Sequence, residues 1–73
     1  MNLKYALERA IHLYEGKTGE SISYPELAKR MGMTRQNLHQ IIKTNSPGIR
    51  TLQSISKELD IELVTLIALG EEK

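Results

Sequence analysis

Apolar residues along this chain fall into helical runs separated by short polar breaks. Leu3, Ala6, Leu7, Ala10, Ile11 and Tyr14 recur at intervals that stack them on one face of an α-helix. Asn2 stands before this run as an N-cap and Gly16 follows it as a stop, so a first helix is predicted between them. A polar loop over residues 16–20 leads to Ser23-Tyr24-Pro25-Glu26. Ser23 and Glu26 have the spacing of a capping box, and Pro25 falls in a first turn, where its missing N–H is harmless. A short second helix is therefore predicted from Tyr24, with Leu27, Ala28 and Met31 facing inward and Gly32 closing it.

Thr34, two residues after Gly32, is predicted to cap a third helix, so the connection between the two is a turn of about three or four residues. At about 100° per residue, Leu38, Ile41 and Ile42 fall on one side of that helix. Arg35, Gln36, His39, Gln40 and Lys43 fall within about 140° on the other. Asn45-Ser46-Pro47-Gly48 reads as a turn, after which Leu52, Ile55 and Leu59 mark a fourth helix that ends near Asp60. Leu63, Leu66 and Ile67, with Val64 and Leu69 beside them, mark a fifth. It is apolar on most sides, so it is expected to bury part of its surface and offer the rest, Leu63, Leu66, Ile67 and Leu69, to a second subunit. No internal repeat or low-complexity segment interrupts the pattern. The expected fold is all-α, a compact five-helix single domain over residues 1–73.

Composition narrows the function classes. Seventy-three residues support one small core and leave little room for a deep catalytic cleft. With no cysteine there is neither a disulfide nor a thiolate metal site, which fits a reducing cytoplasm. No apolar stretch is long enough for a signal peptide or a membrane span, so the expectation is a soluble protein, complete from Met1, with no membrane partner.

The net charge of +1 conceals a segregated distribution. Residues 27–57 contain no acid and carry Lys29, Arg30, Arg35, Lys43, Arg50 and Lys57. Residues 1–26 hold three basic and four acidic side chains, and residues 58–73 hold one and five. The polar face of the third helix thus lies inside a cationic stretch and offers amide and guanidinium groups, the chemistry that phosphates and base edges require.

Residues 23–42, from Ser23-Tyr24-Pro25-Glu26-Leu27-Ala28 through Gly32-Met33-Thr34 to Leu38-His39-Gln40-Ile41-Ile42, resemble the phage repressor and Cro-type (XRE-like) helix-turn-helix family. Ala28 and Gly32 stand at its small packing residue and turn glycine, Met33 at its apolar turn residue, and Leu38 and Ile41 at its recognition-helix core. The resemblance continues through residues 47–59 and 63–69. It implies a helix-turn-helix over residues 24–43 whose third helix lies in the major groove of double-stranded DNA. It also implies base contacts from Arg35, Gln36 and Gln40, and phosphate contacts from Tyr24, Thr34, Asn37 and Arg50. The chain departs from the family at Tyr24, where glutamine is frequent, and at Gly48, where serine usually caps the fourth helix.

Arg35 is expected to donate two hydrogen bonds to guanine O6 and N7 or to clamp a phosphate, and the two glutamines to pair with adenine N6 and N7. His39, on the same face, joins them as a base-contact candidate, and Lys43 joins the phosphate set. Because one such domain reads only a few base pairs, a homodimer on a near-palindromic operator is expected, with repression as the outcome and a nucleoid-associated site of action. His12 is expected to be structural, and Met31 and Met33 to be core and turn filler.

The two histidines form no metal site, and no nucleophile, Gly-rich loop or paired acid supports catalysis. Neither a cofactor nor a small-molecule substrate is therefore expected. The acidic end, residues 70–73, reads as a solvated tail that repels phosphate. A rival reading keeps the fold but makes it a protein-interaction module, such as an antitoxin-like regulatory subunit.

Overall fold

A computed structural model describes residues 1–71. It contains α1 (Leu3–Thr18), α2 (Tyr24–Arg30), α3 (Arg35–Thr44), α4 (Ile49–Glu58) and α5 (Leu63–Leu69), and no strand among the described residues. Three of the five starts follow from side-chain caps. Asn2 Oδ1 accepts from the Tyr5 N–H, Ser23 Oγ from the Glu26 N–H, and Thr34 Oγ1 from the Asn37 N–H. The second cap is one-sided: Glu26 does not reach back to Ser23 but accepts from Arg30 Nε at 3.5 Å, one turn along the helix.

Helix ends follow one rule through the first four helices: each is closed by a residue at positive φ, namely Gly19, Gly32, Asn45 and Asp60. After α2 the Met33 N–H donates to Ala28 O and the Gly32 N–H to Lys29 O, the paired closing bonds of a Schellman turn. The same pair recurs after α3, from Ser46 to Ile41 and Asn45 to Ile42, and after α4, from Ile61 to Ser56 and Asp60 to Lys57.

α1 ends with a single bond from the Gly19 N–H to Glu15 O. It therefore passes through Gly16, the expected stop, and runs to Thr18. The cost of a helical glycine is about 1 kcal/mol. It is offset by burial of Tyr14, by the Thr18 hydroxyl bonding Tyr14 O at 2.8 Å, and by Lys17 Nζ bonding Asp60.

The core is built on α1. Leu3, Ala6, Leu7, Ala10 and Tyr14 face Ile22, Leu27, Ala28, Leu38, Leu52, Ile55, Leu59 and Leu66. α1 packs on α5 and α3, α2 on α3 and α4, and α4 on α5. In α3 only Leu38 is fully enclosed, while Ile41 and Ile42 are half-buried at the edge. Met31 and Met33 are half-buried against the core, at the end of α2 and in the turn that follows.

The carboxyl end is part of this structure up to Gly70. That residue is buried and its carbonyl accepts from the Asn2 N–H at 2.8 Å, so it does not belong to a solvated tail. Glu71 is exposed, and residues 72 and 73 of the expected tail lie outside the described residues. No helix among the described residues is long and apolar enough to cross a membrane.

Candidate nucleic-acid interface

The α2–α3 turn fixes which side of α3 faces out. Burial of Leu38, worth about 1.5–3 kcal/mol, pins one side of the helix to the core. The opposite side then carries Arg35, Gln36, His39, Gln40 and Lys43, all exposed. Arg35, Gln36, His39 and Gln40, with Asn37, line an open groove of about 720 Å³ whose far wall is Tyr24 and Pro25 at the start of α2. Neither α1 nor α5 lies across it.

These side chains are uncommitted. Arg35, Gln36, His39, Gln40, Lys43 and Arg50 make no side-chain hydrogen bond or ion pair among the described residues. Arg30 differs, because its guanidinium donates to the Tyr14 hydroxyl at 3.2 Å and to Glu26, bonds that raise its already high pKa. One of the six cations in the acid-free stretch is thereby engaged at the surface in bracing α2 against α1, which charge counting alone could not reveal.

Tyr24 is half-buried between this groove and a second one, of about 430 Å³, bounded by α1 and the later turns of α3. Burial first, and then the nearby Glu8 carboxylate, push its phenol above the usual 10.0. The hydroxyl therefore keeps its proton, and with it the ability to donate to an anion. Thr34 and Asn37 are exposed at the start of α3, but the Thr34 hydroxyl already accepts the Asn37 amide. Arg50 sits in the first turn of α4, whose N-cap is Gly48 and has no side-chain cap bond. The amino end of α4 is thus open beside an unpaired guanidinium.

Other expectations are placed differently. Leu66, expected on a subunit surface, is fully buried beneath α1 and α4 and has no area to offer a partner. Leu63, Ile67 and Leu69 are half-buried. The exposed large apolar residue of α5 is instead Val64, with 69% of its surface open. His12, expected to be structural, is exposed on α1 and lines a groove of about 590 Å³ with Tyr5, Glu8, Arg9, Leu13 and Leu69.

Two residues to which the sequence analysis gave no site role border the second groove. Asn45 ties the end of α3 to the start of α1, and Lys4 stands on the rim of the second groove. Asn45 had a local signal, since asparagine is among the few residues that tolerate positive φ. Lys4 had none, because its neighbour Lys43 is 39 positions away.

Residues 20–71 match the family described as Cro/C1-type HTH DNA-binding domain. Comparison with curated proteins and with solved structures finds no match.

Proposed function

From the premise that this chain belongs to the Cro/C1-type helix-turn-helix DNA-binding family, we propose that it is a sequence-specific transcriptional regulator, a repressor that binds a near-palindromic operator as a homodimer. In this reading α3 enters the major groove. Arg35 pairs with guanine or clamps a phosphate, Gln36 and Gln40 read adenine, and His39 contacts a neighbouring base. Tyr24, Thr34, Asn37, Lys43 and Arg50 hold the backbone and set the register of α3 without reading sequence. Work of this kind is done at the nucleoid, in the cytoplasm.

One observation carries the proposal: the outer strip of α3 is open, free of acid, and has no partner within the described residues. The side chains of that strip can exchange water directly for base and phosphate partners, because no internal bond has to be broken first. Dimerisation supplies the second half-site, roughly 34 Å away along the duplex. Val64, exposed on α5, is the apolar contact that two copies would share.

The test is titration of random duplex at two salt concentrations, followed by selection of bound sequences from a random pool. A steep fall in affinity with salt and recovery of a two-fold symmetric site are the expected results. Binding that ignores salt would favour the rival, a protein-interaction module, for which the apolar groove holding Tyr5, Leu13 and Leu69 is the natural contact.

A further inference from the structure

We propose that the groove between the first turn of α1 and the later turns of α3 holds a phosphate of the DNA backbone, with Lys4 as a contact from outside the helix-turn-helix. This rests on the reading of the chain as a DNA-binding protein and extends its footprint to α1. Lys4, Tyr24, His39 and Lys43 line that groove, as does Asn45, which is bonded to the start of α1. Lys4 and Lys43 are exposed, and neither ammonium has a hydrogen bond or ion pair among the described residues. Two such cations lining one concave site favour an anion, and a phosphodiester fits the hydroxyl donor that Tyr24 adds to the same lining.

Position adds a second line of support. Asn45 bonds the backbone of Met1 and of Leu3, so the turn bearing Lys4 is fixed relative to α3 before any ligand arrives. A contact held in place beforehand loses less freedom on binding. α1 also contains its own comparison. Its other exposed lysine near an end, Lys17, lies about 20 Å away along the helix and is already bonded to Asp60 Oδ2 at 3.2 Å and to Asp60 O at 2.9 Å. One end of α1 has its cation engaged, and the end beside α3 has it available. The acid bordering the site is Glu8, one turn beyond Lys4 and close enough to act on the Tyr24 phenol. It should oppose the phosphate.

The experiment measures binding of the full chain to random and to selected duplex across a salt series, for wild type, Lys4→Ala, Lys4→Arg, Glu8→Gln and Lys17→Ala. One lost phosphate contact lowers the log–log salt slope by about 0.9, which corresponds to about eightfold weaker binding per protomer near 0.1 M salt. Lys4→Ala should show that loss equally on both duplexes, Lys4→Arg should restore it, Glu8→Gln should strengthen binding, and Lys17→Ala should match wild type. The inference is overturned if Lys4→Ala keeps the wild-type slope, or if Lys17→Ala loses as much. Wild-type protein with no salt-dependent affinity would instead remove the DNA-binding reading itself, so the two failures are distinct.

Discussion

Asn45 Oδ1 accepts the backbone N–H of Leu3 at 2.8 Å, while its Nδ2 donates to Met1 O at the same distance, so one side chain at the end of α3 caps the entry of α1. The residue stands at φ 53, in the left-handed region that closes α3. Asp60 does the corresponding work at the far end of α1, closing α4 at φ 54 and receiving Lys17. The central helix is thus held at both ends by the closing residues of two other helices.

The two ties differ in weight, and substitution should separate them. Asn45→Gly keeps the backbone conformation but loses both bonds, at about 1–2 kcal/mol, and Asn45→Ala adds left-handed strain of about 1 kcal/mol more. At Asp60 the partner is exposed, and such a pair contributes about 0–1 kcal/mol, so Asp60→Gly should be near neutral. Urea unfolding of the three variants checks the order. Asn45→Ala as stable as Asn45→Gly would contradict the role given to its conformation.

Two glycines should respond to alanine with opposite signs. Gly16 lies inside α1, and a Cβ added there would have nothing within 4 Å, so Gly16→Ala should stabilise by about 0.5–1 kcal/mol through helix propensity. At Gly70 a Cβ would meet Met1 Cγ at 2.7 Å, Asn2 O at 3.1 Å and Ala6 Cβ at 3.2 Å. Met1 can swing away, but a backbone carbonyl and a core alanine cannot, so Gly70→Ala should cost about 1–3 kcal/mol. Thermal melts of the pair suffice, and a shift in the same direction for both would refute the packing assigned to the end of α5.

What could be read from the chain beforehand follows the range of the interactions. Helix starts were legible because Asn2, Ser23 and Thr34 each act on an amide three residues away. The outer strip of α3 was legible because helical periodicity is local. The ends at Gly32, at the turn from Asn45 and near Asp60 were legible as well, but not the side-chain ties of Asn45 and Asp60 to α1, whose partners lie more than 40 positions away. Gly16 misled because a local propensity of about 1 kcal/mol yields to tertiary contacts on the turn beyond it. Arg30 looked like one more surface cation until packing brought Tyr14 beside it.

If α3 reads DNA as proposed, the residues assigned to bases and those assigned to phosphates should separate by sequence dependence. Arg35→Ala, Gln36→Ala and Gln40→Ala should each relax preference at particular base pairs, with about 1–3 kcal/mol of discrimination lost per residue. Lys43→Ala and Arg50→Ala should weaken binding to all duplexes and flatten the salt dependence by about one charge each. Competition binding against single-base operator variants reads both. A uniform loss across the five variants would mean that α3 contacts the backbone alone.

Within the proposed contact set, Tyr24 would be a contact of another kind, a neutral donor. Its phenol is pushed above 10.0 by burial and by Glu8, so it stays protonated through neutral and mildly alkaline pH. Tyr24→Phe should therefore weaken binding about three- to tenfold without changing the salt slope, since no charge is removed. Ionisation also opposes folding. The folded pKa lies above the unfolded value, so this contribution to stability is complete below about pH 10 and is lost as pH rises through the folded value. Alkaline unfolding at lower pH in wild type than in Tyr24→Phe would agree. A reduced salt slope in Tyr24→Phe would show that the substitution had displaced a cation as well.

On α5, neighbouring apolar residues should part company in the same way. Leu66 is fully buried, and Leu66→Ala should cost about 2–5 kcal/mol by opening a cavity between α1, α4 and α5. Val64 touches little of the fold, with 69% of its surface open, so Val64→Asp should leave the monomer folded. If two copies meet through α5, that aspartate places like charges against an apolar contact and should abolish the dimer on a two-half-site duplex. Binding to a single half-site should be unaffected. Sedimentation of the complex on each duplex distinguishes the states, and a Val64→Asp dimer as tight as wild type would move the subunit contact away from α5, with the α1 groove lined by Tyr5 and Leu13 the next surface to mutate.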